Sequence, residues 1–220
     1  MKSYGILTLS NTSPAQSFVE PFTLAEAKAF LELPERSPTD EAEDAMIEGF
    51  IRGARFQAEI AQNRDLVAKQ YDLTLDYFTY LPGLYSSFTT AGGEIKLRTP
   101  LVSVDLVSYK DSDGNTTTLA EDTDYIVDLS RGIMMPPYNK SWPIFVAWPS
   151  SAVLVRFTSG LAADDPFWSD AGAMVKVGMK YLISHWFAGR LPFETGGQVI
   201  AEYPYTVTQC LSGGSVPRFH

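Results

Sequence analysis

The hydrophobic period changes twice along this chain, and the order of those changes limits the folds open to it. Up to about residue 61, apolar residues recur every three or four positions, as on one face of a helix. From Lys69 the period drops to two: Tyr71, Leu73, Leu75 and Tyr77 alternate with Gln70, Asp72, Thr74 and Asp76, the pattern of a half-buried strand. The helical period returns between about 170 and 188. The order helix, helix, sheet, helix, tail places the chain in the α+β class. It predicts an N-terminal helix pair, an antiparallel β-sheet or small sandwich as an insertion, a C-terminal helix, and extended N- and C-terminal arms. The expected divisions are an arm over 1–19, a body over 20–190 and a tail over 191–220. Within the body, helices at about 23–33, 40–61 and 170–188 flank a β-rich insertion at about 69–159.

Local signals fix the elements. Thr23 and Glu26 have capping-box spacing, and Leu24, Ala27, Phe30 and Leu31 share a face ahead of Pro34. Asp40 and Glu43 repeat that spacing before a stripe of Ile47, Ile51, Ala54, Ala58 and Ala61, widened by Phe50. Acidic residues crowd the first turns of this second helix, where the helix dipole favours them. Gly49 and Gly53 lie one turn apart, which points either to close approach of another backbone or to simple tolerance. Strands are expected at 94–98, 102–110, 116–119, 125–129, 132–135 and 152–158. Hairpin turns are expected at Asp111-Ser112-Asp113-Gly114 and Ser130-Arg131-Gly132. In the third helix Met174, Val177, Tyr181 and His185 fall on one face, taken as the buried one, and Gly189 is a candidate C-cap.

Composition excludes several classes. With 17 Lys and Arg against 26 Asp and Glu, spread over both halves, the net charge of −9 offers no broad cationic face for nucleic acid. The single Cys210 excludes an internal disulfide framework and a multi-cysteine metal cluster. No apolar run approaches the roughly 18 residues of a membrane span. The N-terminus lacks the apolar core of a secretory signal, so a cytosolic folding environment is expected.

Nor does a catalytic pattern emerge. The two histidines are the terminal His220 and His185, the latter read as a core residue beside Trp186. No HExxH, CxxC, GxSxG or GxGxxG pattern is present, so no catalytic, cofactor-binding or metal-ligating residue is assigned. Asp111, Asp113 and Asn115 mimic the start of a calcium loop, but the twelfth position holds Asp122 rather than Glu.

Two segments resist a bland reading. Residues 80–93 carry no lysine, arginine, aspartate or glutamate, yet hold Tyr80, Leu81, Leu84, Tyr85 and Phe88; they either fold back on their own domain or meet another subunit. In the tail, Val199, Ala201, Tyr203, Tyr205 and Val207 alternate with Ile200, Glu202, Pro204, Thr206 and Thr208. This predicts an extended segment, flexible alone and ordered on a partner. The candidate subunit-interface residues are therefore Glu48, Arg52, Arg55 and Glu59 on the second helix, together with Tyr80, Leu84, Tyr85 and Phe88. The candidate docking residues are Val199, Tyr203, Tyr205, Val207 and Phe219.

Residues 21–33 (PFTLAEAKAFLEL) resemble the opening P-x-T/S-L-x-E-A-K-x-x-L helix of the phage head–tail connector (adaptor) family. The likeness continues in order through 44–55 (DAMIEGFIRGAR), 100–119 (PLVSVDLVSYKDSDGNTTTL), 124–128 (DYIVD), 140–143 (KSWP) and 182–190 (LISHWFAGR). The loop at 80–93 and the chain after Gln198 fall outside that pattern. The resemblance implies a non-enzymatic virion protein without cofactors, assembled in the host cytoplasm and located at the head–tail junction. It implies a homo-oligomeric ring, commonly of twelve subunits, that docks on a portal protein and supports the next tail or stopper component. DNA would pass through its channel without sequence-specific binding, and an acidic wall would let it slide. No membrane is involved.

The competing readings are another virion protein, such as a tail-completion or decoration factor, and a carboxylate-based glycan-processing enzyme. The enzyme would use Asp72, Asp76 and Glu94. Asp72 and Asp76 on one strand face would stand about 13 Å apart, beyond the roughly 5–9.5 Å such a pair needs.

Overall fold

The computed structural model describes residues 5–10, 19–33, 41–78, 93–189 and 205–213. The chain divides into two compact units. One contains Ala68–Gly160 and the N-terminal strand; the other contains Val19–Val67 and the chain from Leu161 onward.

The first unit is all β. A five-stranded antiparallel sheet has the order β1 (Ile6–Leu9), β2 (Lys69–Leu75), β8 (Val153–Ser159), β4 (Leu101–Lys110), β5 (Thr116–Leu119). A three-stranded sheet has the order β3 (Ile95–Lys96), β7 (Ile133–Met135), β6 (Ile126–Asp128). The predicted alternation holds in β2, whose burial alternates residue by residue, and in β8, which pairs with it so that Leu73 faces Val155. Side chains from both sheets, among them Leu73, Val155, Phe157, Ile95 and Met134, form one apolar cluster. This is the small sandwich expected from the turn spacing. Part of the N-terminal arm is not free: Ile6–Leu9 is extended as expected, but it adds an edge strand to β2, with Ile6 opposite Thr74.

Both predicted hairpins form, for a visible reason. Asp111 accepts from the backbone N–H of Asp113 and Asn115 at 3.0 and 2.9 Å, and Gly114 adopts φ +88°. Asp111 is thereby spent on its own turn, as an Asx turn rather than a cation ligand. Asp128 does the same for the β6–β7 turn, accepting from the Ser130 hydroxyl and the Arg131 N–H. Gly132 there adopts φ +64°, and a Cβ would lie 2.4 Å from Thr99 Cγ2.

The second unit is helical: α1 (Leu24–Phe30), α2 (Glu41–Gln62), a 3₁₀ turn (Pro166–Ser169), α3 (Ala171–Ala188) and α4 (Tyr205–Ser212). The capping box closes as predicted. Glu26 N–H donates to Thr23 Oγ1 at 3.2 Å, and Thr23 N–H donates to Glu26 Oε2 at 2.7 Å. That Thr23 N–H is the main reason the Glu26 carboxyl is held below the usual glutamate range. The stripe of α2 is buried at Ile47, Ile51, Ala54 and Ala58, with Ala61 and Phe50 at its margin. Asp40, the expected cap of α2, lies outside the described residues.

Two expectations change, and one open alternative is decided. The buried face of α3 is Val175, Gly178, Met179, Leu182 and Ile183, not the face of Met174, Val177 and Tyr181, which is exposed; His185 is half-buried. Both faces of α3 are apolar, so periodicity alone could not choose between them. Among the described residues no other backbone approaches Gly49 or Gly53: Gly53 is covered by the Trp186 ring, 3.3 Å from where a Cβ would sit, and nothing described lies within 4 Å of a Cβ on Gly49. Lastly, residues 205–212 are helical rather than extended. Val207 and Leu211, four apart, are buried in the helical core, and the alternation read through residue 208 overlapped this helical spacing. Gly178 admits α4, because a Cβ there would lie 3.0 Å from both Cys210 and Leu211. Gln62, fully buried on α2, donates its amide to the carbonyls of Leu211 and Gly213, satisfying acceptors that the end of α4 leaves open.

Part of the tail thus belongs to the helical core. Leu211→Ala is expected to lower the unfolding free energy by about 2–4 kcal/mol, and truncation after Gln198 by at least as much, measured by denaturant titration. Acid provides a second check. A depressed Glu26 pKa contributes stability that is present above the unfolded value and lost as pH falls through the folded one. Glu26→Gln should therefore destabilise at neutral pH and flatten the loss of stability on acidification.

Candidate functional site

Helix α2 divides the four interface candidates on it into two pairs. Glu48 and Arg52 are exposed, one turn apart, with Arg52 Nη1 4.0 Å from Glu48 Oε2. Such a pair contributes little to stability, and both side chains remain available to a neighbour. Arg55 and Glu59, about two turns further along the same side of the helix, are buried. Arg55 Nε donates to Glu20 Oε2 at 2.9 Å, and its Nη1 to Glu59 Oε2 at 3.2 Å. Glu59 Oε1 accepts from the Leu66 N–H at 3.1 Å. This network holds the segment before α1 and the segment after α2 against the helix. The sequence showed four charges on one helix. The 100° step per residue sets all four on one side of the helix, and what separates them is their place along it: Glu20 and the Leu66 N–H meet positions 55 and 59, while 48 and 52 stay exposed.

Of the remaining candidates, Tyr80, Leu84, Tyr85, Phe88, Val199, Tyr203 and Phe219 lie outside the described residues. Tyr205 opens α4, and Val207 is buried within the helical unit.

The carboxylates of the enzyme reading each have a structural partner. Asp72 receives both arms of Arg156, at 2.7 and 2.9 Å, a forked ion pair across β2 and β8 that raises the guanidinium pKa. Asp76 accepts from the Ser151 N–H at 3.0 Å, and Glu94 lies 3.7 Å from Arg131. Among the described residues no group of three or more His, Cys, Asp or Glu is placed to hold a metal ion. No helix there is long and apolar enough to cross a membrane.

What sequence reasoning missed is the distribution of exposed apolar side chains. In the sheet unit, Ile144, Val146 and Trp148 point outward along an extended stretch whose inward residues, Trp142 and Phe145, pack on Phe78. In the helical unit, Phe56 and Ile60 on α2 and Met174 and Tyr181 on α3 are exposed. The signal was present as helices with too few polar residues on the face opposite the core.

No protein-family model and no curated relative matches the sequence. Solved structures do match. A chain of the neck of an empty gene transfer agent particle, computed with C6 symmetry, is 18% identical with a TM-score of 0.67, covering 98% of this chain and 97% of that one. This is the fold of a particle-neck chain. A chain of the neck of the native particle, computed with C12 symmetry, is 18% identical with a TM-score of 0.62 at the same coverage. A chain of the native virion is 17% identical with a TM-score of 0.61, again at the same coverage. The likeness runs through both units, and it agrees with the connector resemblance read from the sequence.

The two α2 pairs should respond differently to charge reversal. Arg52→Glu is expected to leave stability within about 0.5 kcal/mol of wild type. Arg55→Glu sets three carboxylates together in a buried site and should cost about 3–5 kcal/mol. Thermal and urea unfolding of the purified variants would measure both.

Proposed function

We propose that this chain is a structural subunit of the virion neck, a head–tail connector that forms a ring between portal and tail. The observation that carries the reading is the match to particle-neck chains over nearly the full length of both partners. Two of those particles' necks were computed with C6 and C12 symmetry, which favours a ring of identical subunits for this chain as well.

The chemistry is compatible with that role. The three carboxylates that could have served an enzyme are committed to Arg156, a backbone N–H and the vicinity of Arg131. The net charge of −9 would repel phosphates, as suits a channel through which DNA slides. Portal above and tail component below are the partners proposed, with assembly in the host cytoplasm and final location in the virion.

Negative-stain imaging of the purified chain, alone and mixed with portal-bearing capsids, tests this. Annular particles with a central hole, or added density at the portal vertex, are expected. A chain that neither forms rings nor adds to the vertex would overturn the reading.

A further inference from the structure

Asp113 is the only aspartate or asparagine in the sequence that is followed by glycine. In such a pair the glycine nitrogen can reach the side-chain carboxyl of the residue before it, because no Cβ on the glycine blocks the approach. A bond then forms between Gly114 N and Asp113 Cγ. The proton of that nitrogen and the hydroxyl of the carboxyl leave together as water, and a five-membered succinimide results. Water adds back at one of the two ring carbonyls. Opening at the side-chain carbonyl restores aspartate. Opening at the main-chain carbonyl leaves the chain running through Cγ, as isoaspartate, with one extra methylene in the backbone. Water is lost and regained, and nothing is oxidised.

The structure exposes this pair and also restrains it. Asp113 is exposed in the turn between β4 and β5. Gly114 N–H donates to the Asp111 carbonyl at 3.1 Å, so the attacking nitrogen is already committed as a donor. To react it must give up that bond, and the peptide plane joining Asp113 to Gly114 must rotate until the nitrogen meets Cγ. The Asp111 carboxylate opposes that rotation. Its Oδ1 accepts from the N–H of Asp113 at 3.0 Å and of Asn115 at 2.9 Å, the residues on either side of Gly114. Its Oδ2 accepts from the Asn115 side-chain amide at 3.1 Å. These bonds, that of the Asn115 N–H foremost, hold the Asp111 carboxyl below the usual aspartate range. Asp111 N–H closes the base of the turn on the Asn115 carbonyl at 3.0 Å.

We infer that Asp113–Gly114 is a site of spontaneous isoaspartate formation in this protein, and that Asp111 is the residue that restrains it. One carboxylate thus both shapes the hairpin and slows a covalent change within it. The extra methylene would lengthen the turn beside the pair of Lys110 and Thr116, where β4 meets β5. It would also fall next to the contact of Lys110 Nζ with the Trp148 ring, 4.0 Å from its centroid. The inference is independent of what the chain assembles into.

The test compares wild type, Asp111→Ala and Asp111→Ser. Each is incubated at neutral pH, folded and in concentrated urea, with melting curves to confirm the folded state. Isoaspartate is located by peptide mapping combined with enzymatic methylation. In urea all three are expected to form it at position 113. Folded wild type should do so at least about tenfold more slowly, the change that one hydrogen bond to a charged acceptor gives. Folded Asp111→Ala should approach the rate in urea. Asp111→Ser should fall between, because a hydroxyl accepts in the same turn more weakly. No isoaspartate at 113 in urea overturns the site. A folded Asp111→Ala that reacts no faster than folded wild type overturns the role of Asp111. Should alanine loosen the whole unit, the serine variant decides, and a rate equal to wild type overturns that role.

Discussion

The pairing of β2 with β8 sets Lys69 opposite Ser159, so the sheet unit begins and ends at one place. That pairing lets ninety-odd residues be inserted between α2 and α3 without disturbing how those helices meet. Antiparallel neighbours at the ends of an insertion need no crossover, and their ladder closes the insertion into a body of its own. The Asp72–Arg156 fork lies on the same two strands and adds a charged clamp to it. The helical unit can then gather its core from three stretches of sequence: α1 with α2, then α3, then α4.

Much of this was legible in the sequence because it depends on local rules. The capping box at Thr23 and Glu26, the alternation in β2, and the Asx turns at Asp111 and Asp128 are decided within four or five residues. They appear where those rules place them. What could not be read depends on a partner distant in sequence. The burial of Arg55 needs Glu20, thirty-five positions earlier. The helical state of 205–212 needs Gly178 and Gln62 to receive it, so a short segment with mixed periodicity was read as a strand.

The same logic explains the exposed apolar residues. A sequence pattern reports that a position is apolar, not whether the surface covering it belongs to the same chain. Met174 and Tyr181 looked like core because, by composition, they are core; the described residues of their unit leave them exposed. Glu48 and Arg52, by contrast, were read as surface and are surface. Arg55 and Glu59, expected at the same surface, are buried, so charged positions too acquire meaning only once the packing is known.

The close seating of α4 on α3 has a practical corollary. Cys210 is the sole thiol in the protein, and it is half-buried against the flat side of α3 that Gly178 provides. A thiol reagent gains fuller access to that side chain when the last helix lifts away. A rise in the rate of thiol modification therefore reports the loosening of that helix, readable without introducing any label site. Run on the free chain and again on assembled material, the same measurement would report whether assembly holds the helix shut.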